Sequence, residues 1–193
     1  KGGRGFPYLA FLDGDGRVIA RHHADPLVEE FEATGASVRT FLELRPKAKE
    51  GAAKIQTELL LLQMTLGQLK LEEARKGVAM LTEVSEDQKK KIDALLVEVE
   101  TLELNDAAKD KPARLAAGKR CFELRKAAHP APPAERVARI YWILILGYCE
   151  DQADVETYAE VLEILKTRFG TKVHSKNIAQ WEATLQKLKD ASK

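Results

Sequence analysis

Residues 135–149, Glu-Arg-Val-Ala-Arg-Ile-Tyr-Trp-Ile-Leu-Ile-Leu-Gly-Tyr-Cys, hold an almost unbroken apolar stretch from Ile140 to Leu146. The stretch reads as a helix that is apolar all round, which marks the most buried helix of a helical protein. No run of 18 or more uncharged apolar residues occurs in the chain, so no membrane-spanning helix is expected.

Outward from this stretch the spacing stays helical. Downstream, Asp154 is placed to cap a helix with Tyr158, Leu162, Leu165 and Phe169 inward, and Gly170 stops it. Ser175 begins the last helix, with Ile178, Trp181, Leu185 and Leu188 inward. Upstream, His129-Pro130-Ala131-Pro132-Pro133 ends a helix marked by Ala117, Cys121, Leu124 and Ala128. Ser85 with Gln88 forms a capping box ahead of Ile92, Leu95, Leu96, Val99 and Leu102. A shorter helix spans Leu71 to Leu81. Before it, Ile55, Leu59, Leu62, Leu66 and Leu69 share one face at alternating spacings of four and three. Val38 to about Lys49 is amphipathic on Val38, Phe41, Leu42 and Leu44, and Pro46 is placed to end or kink it.

The N-terminal region departs from this pattern. Tyr8–Leu12 and Arg17–Arg21 are apolar-rich runs separated by Asp13-Gly14-Asp15-Gly16, a hairpin signal because Gly supplies the positive φ of tight turns. The expected strands are 7–13 and 17–22. A helix follows from Pro26 to Thr34, with Asp25 as N-cap and Gly35 just past its end. The expected fold is mainly α: an antiparallel array or bundle of helical hairpins with a small N-terminal ββα piece. The expected division is 1–48 and 49–193, with Asn105–Lys111 and His129–Pro133 the most linker-like stretches within the latter.

Across 193 residues, Lys plus Arg number 31 and Asp plus Glu 30, and 45% of residues are apolar. That balance argues for a folded globular chain and against a disordered one. Near-zero net charge also argues against a general nucleic-acid or anionic-membrane binder. Two cysteines make no disulfide scaffold.

Gly5-Phe6-Pro7-Tyr8-Leu9 with Phe11-Leu12-Asp13-Gly14-Asp15-Gly16-Arg17-Val18 resembles the C-terminal half of a thioredoxin fold. In that family a Gly-x-Pro-x-Leu segment, whose proline is cis and faces the active-site dithiol, leads into the fourth strand. A hairpin then joins the fourth and fifth strands, and a final helix packs back on the sheet. The resemblance covers less than a quarter of the chain. It implies that Pro7 is the cis-proline, that Pro7 and Phe6 bind substrate, and that 26–34 is the last helix. It also implies an exported or periplasmic setting. The family's chemistry needs a Cys-x-x-Cys at a helix start upstream of the proline. Only six residues precede Pro7, and Cys121 and Cys149 lie 28 apart inside predicted helices, so this chain is expected to be redox-inactive. With Lys1 in place of Met, it is expected to be the C-terminal portion of a longer protein. The isolated hairpin is otherwise expected to dock on the helices or to pair its edge with a second copy.

Leu66-Gly67 with Ala79, and Leu146-Gly147 with Ala159, are similar to degenerate tetratricopeptide hairpins, where Gly and Ala sit at the helix–helix contact. Gln63 and Ile143 replace the expected Trp, Lys70 and Glu150 the expected Tyr, and the matches lie 80 residues apart. An irregular bundle is the alternative.

No catalytic residue, metal ligand or cofactor is expected. His22 and His23 point to opposite faces of a strand end, and His129 and His174 lack partners at ligand spacing. Asp13 and Asp15 are explained by turn chemistry rather than calcium. Cys121 and Cys149 read as buried thiols. Lys89-Lys90-Lys91 and the basic residues of 114–126 read as solvated faces, and Trp142 and Trp181 as core. Two functions follow as expectations. One is the C-terminal portion of a thioredoxin-like protein whose helical extension docks a protein partner. The other is a stand-alone helical interaction module.

Overall fold

The computed structural model describes residues 9–21, 28–48 and 52–192. The fold is mainly α, with a two-stranded antiparallel sheet at its N-terminal side. Its contacts divide the chain into two compact units, Lys1–Glu100 and Thr101–Lys193.

The first unit begins with β1 (Ala10–Leu12) and β2 (Val18–Arg21), shorter than the strands expected but joined by the expected turn. Asp13 explains the turn: its Oδ1 accepts from the backbone N–H groups of Asp15 and Arg17, at 3.0 and 2.8 Å. Gly16 supplies the left-handed residue at φ +76°. The register pairs Phe11 with Ala20 and Leu12 with Val18, with a bulge between Phe11 and Leu12.

Next comes α1 (Val28–Lys47), one continuous helix where a break at Gly35 was expected. Gly35 has no left-handed φ, so nothing stops the helix there. Its role is packing: a Cβ at Gly35 would stand 3.3 Å from Phe11 Cε1. Phe11 stacks on Phe31 with centroids 4.7 Å apart. The expected N-cap Asp25 and first-turn Pro26 lie outside the described residues.

The helix α2 (Ala53–Thr65) serves two clusters. Leu59, Leu62 and the following Leu66 pack with Ile19, Ala20, Val38 and Phe41. Leu60, Leu61 and Met64 pack with Ala74 of α3 (Leu71–Ala79) and with Ile92, Leu95 and Val99 of α4 (Glu86–Ala107). The cluster of α1 and α2 runs across position 48. The hairpin therefore docks on helices, and Gln68 Nε2 fastens it by donating to the Ile19 carbonyl at 2.8 Å. The Ser85–Gln88 capping box forms as expected, and α4 extends to Ala107, into the expected linker.

The second unit contains the end of α4 and then α5 (Lys111–Lys126), α6 (Glu135–Asp151), α7 (Val155–Phe169) and α8 (Ser175–Ala191). Each of the last four packs on the next, joined by short loops. Asp110 and Asp154 cap α5 and α7 by accepting from Ala113 and Thr157 N–H groups. As its sequence implies, α6 is the most enclosed, with Val137, Ala138, Tyr141, Ile145 and Cys149 almost wholly buried. Gly118 lets α5 approach it, since a Cβ there would collide with the Leu144 carbonyl and Tyr148 Cβ.

The tetratricopeptide-like spacing does not take the packing role expected for its glycines. Gly67 sits past the end of α2 at φ +64°, where its N–H donates to Met64 and that of Gln68 to Gln63. This is a Schellman stop. Gly147 lies within α6, and a Cβ added there would meet nothing within 4 Å. Glycines at helix–helix contacts are found elsewhere, at Gly77 against Leu60 and at Gly118 against α6.

Candidate functional site

Thiol chemistry finds no site among the described residues. Cys121 and Cys149 are not joined in a disulfide, and both are wholly buried. Burial, with the nearby Asp154 charge, pushes the Cys149 thiol up to about 11, against the lowering effect of Arg125 and Lys126. A buried, protonated thiol is a poor nucleophile. Beside Cys121, the Tyr141 hydroxyl is raised above its ordinary range by burial.

Phe6, Pro7, His22 and His23 lie outside the described residues. His129 is exposed, and His174 Nδ1 accepts from the Lys176 N–H at the start of α8. Among the described residues no three His, Cys, Asp or Glu side chains gather as a metal site. Trp142 is core, its ring 5.7 Å from the Arg125 guanidinium carbon and its buried Nε1 without a hydrogen-bond acceptor.

The second unit holds a concavity among its described residues. It is a cleft of about 450 Å³ lined by α5, α6 and Trp181 of α8. Its apolar surface comes from Leu115, Ile143, Leu144, Leu146 and Trp181. Lys111 and Arg114 stand on the α5 side, and Glu150 and Asp151 at the C-terminal end of α6. Among the described residues, no ion pair engages Lys111, Arg114 or Glu150. Gly147 is exposed in the lining.

The local sequence builds this site through helix ends. Asp110 starts α5 and puts Lys111 and Arg114 in its first turn. Gln152 and Ala153 end α6 just after Glu150 and Asp151. Trp181 is half-buried rather than core, because α8 carries no fully buried residue. Polar contacts join α8 to α7: the Tyr158 hydroxyl donates to the Trp181 carbonyl at 3.3 Å and also bonds the Thr184 side chain, and Lys166 pairs with Glu182 at 2.9 Å. Hydrogen bonds from Lys166 to Glu182 and Glu163 raise its ammonium above its ordinary value.

Sequence reasoning missed this cleft. Arg114 read as part of a solvated face, Lys111 as part of a linker-like stretch, Glu150 as a replacement for the expected Tyr, and Gly147 as a helix-contact glycine. The signal available was a glycine inside the most apolar helix, which costs about 1 kcal/mol of helix propensity relative to Ala. Among the described residues no helix is long and apolar enough to cross a membrane. No protein-family model matches this chain, and neither a curated protein nor a solved structure matches it.

Proposed function

We propose that this chain is a protein-docking module built onto the end of a thioredoxin-like fold, with no thiol–disulfide chemistry of its own. The observation that carries docking is the open cleft with an apolar lining and charges of both signs. The thioredoxin-like part is supported by the order of hairpin and helix, and by the hairpin packing through Phe11 on Phe31 and Gly35 of α1. Redox silence is supported by two buried thiols, 28 residues apart, that form no Cys-x-x-Cys. The alternative, a stand-alone helical module with a dispensable hairpin, is disfavoured by the core that Ile19 and Ala20 share with Val38, Phe41 and Leu66. Edge pairing by a second copy is disfavoured at Ile19, whose carbonyl already accepts from Gln68.

Two measurements on the full chain test this reading. With a dithiol reductant, insulin disulfides are expected to be reduced no faster than by the reductant alone. Incubated with extract of its source cells, the immobilised chain is expected to retain a discrete protein saturably. Disulfide reduction above background would overturn the first part, and absence of saturable retention the second.

A further inference from the structure

Gly147 is the feature of the cleft that the fold leaves unexplained. It lies in the interior of α6, where glycine weakens a helix. Gly118 and Gly77 are each required by a neighbour that a Cβ would strike, but nothing stands within 4 Å of a Cβ at Gly147. Nor does it adopt a left-handed conformation. A glycine that neither the backbone nor a neighbour requires is suited to close approach by something outside the chain.

The surroundings define that visitor. The apolar lining of Leu115, Ile143 and Trp181 asks for an apolar side chain. Lys111 and Arg114 offer two cations on one side, and Glu150 and Asp151 two anions at the end of α6. The charges are exposed, so they act at the rim and select by complementarity more than by strength. A purely apolar or single-sign ligand would leave one pair unanswered. The cleft is open and about 450 Å³, room for a few side chains rather than a folded domain.

We propose that this cleft binds a short segment of a partner protein that carries an apolar side chain flanked by one acidic and one basic residue. The apolar side chain sits over Gly147 against Leu115, Ile143 and Trp181. The acidic residue pairs with Lys111 and Arg114, and the basic residue with Glu150 and Asp151. This rests on the docking reading above and identifies its site and ligand class.

The test selects a phage-displayed random peptide library on the full chain, then measures fluorescein-labelled synthetic copies of the selected peptides by fluorescence anisotropy. The expected peptides share an apolar residue between an acidic and a basic one. Gly147→Leu fills open space and is expected to weaken binding at least about 10-fold with the thermal midpoint maintained or raised. Arg114→Glu is expected to weaken binding about 10-fold, with recovery when the peptide's acidic residue is changed to Lys. Trp181→Ala supplies a second cleft variant, expected to lose a similar factor with the far-ultraviolet circular dichroism unchanged. Peptides that bind all three variants as they bind the parent would place the site elsewhere and overturn this inference while leaving docking intact. Selected peptides without the mixed-charge pattern would overturn the ligand class. A library that returns no binder would overturn the inference, and with failed partner retention the docking reading too.

Discussion

Ala128 and Ala153 hold left-handed conformations, at φ 62° and 52°, that usually fall to glycine. Both follow helix ends closed by paired Schellman bonds. His129 and Ala128 N–H groups donate to Leu124 and Arg125 carbonyls, and those of Asp154 and Ala153 to Cys149 and Glu150. Each alanine is strained by about 1–2 kcal/mol, while glycine adds some unfolded-chain entropy. Ala128→Gly and Ala153→Gly are therefore each expected to stabilise the chain by about 0.5–1 kcal/mol, read from urea denaturation midpoints at unchanged m-value. The end of α5 was legible from Pro130, Pro132 and Pro133, but the left-handed turn at Ala128 or Ala153 was not, because alanine is the strongest helix former and signals continuation. Gly35 misleads in the opposite sense: it reads as a stop but serves as a landing place for Phe11. Asp13, Ser85 and Asp154 were legible because a capping or turn residue acts on backbone groups a few positions away.

Among the elements, α6 and α8 stand at opposite ends of a range of burial. Five residues of α7 that face its neighbours, Tyr158, Val161, Leu162, Leu165 and Phe169, are at most 1% exposed. In α8 no residue reaches full burial, and a backbone-directed hydrogen bond and an ion pair join it to α7. Exposed ion pairs add little to stability. The amides of Ile178–Leu188 are accordingly expected to exchange with deuterium by local opening, well before those of Tyr141–Cys149. Exchange of the two stretches at one rate would show that α8 opens only with its unit. The apolar stripe of α8 was legible as a stripe, but its depth of burial was not. Periodicity states which face turns inward and leaves open how much another element covers it. The same gap hid the double duty of α2, whose apolar residues serve two clusters.

At the scale of the whole molecule, stability is expected to depend on alkaline pH through the buried thiol and phenols. The Cys149 thiol ionises near 9.0 when exposed and at about 11 in the fold. Above pH 9 the unfolded state therefore holds fewer protons than the folded one, and stability falls as pH rises until the folded thiol also ionises. The loss is on the order of 2 kcal/mol over that window. Tyr158, raised from 10.0 to about 12 mainly by burial, continues the fall at higher pH. Thermal midpoints measured from pH 8 to 11 are expected to drop for the parent chain and to drop less steeply for Cys149→Ala. An equal slope in both would assign the alkaline loss to other groups.

The sequence by itself determined the local features: the helical class, most helix positions, the Asp-Gly turn and the caps, along with the absence of a Cys-x-x-Cys. Each depends on residues within a few positions of one another, where backbone geometry and side-chain periodicity act directly. Only the tertiary structure decided that Gly35 and Gly118 are contact points and that Gly147 faces open space. It also gathered Lys111, Arg114, Glu150, Asp151 and Trp181 around one cleft. Those facts depend on which helices meet and how closely. Contacts between residues distant in the chain set that outcome, and no spacing along it encodes the distance between two helix surfaces.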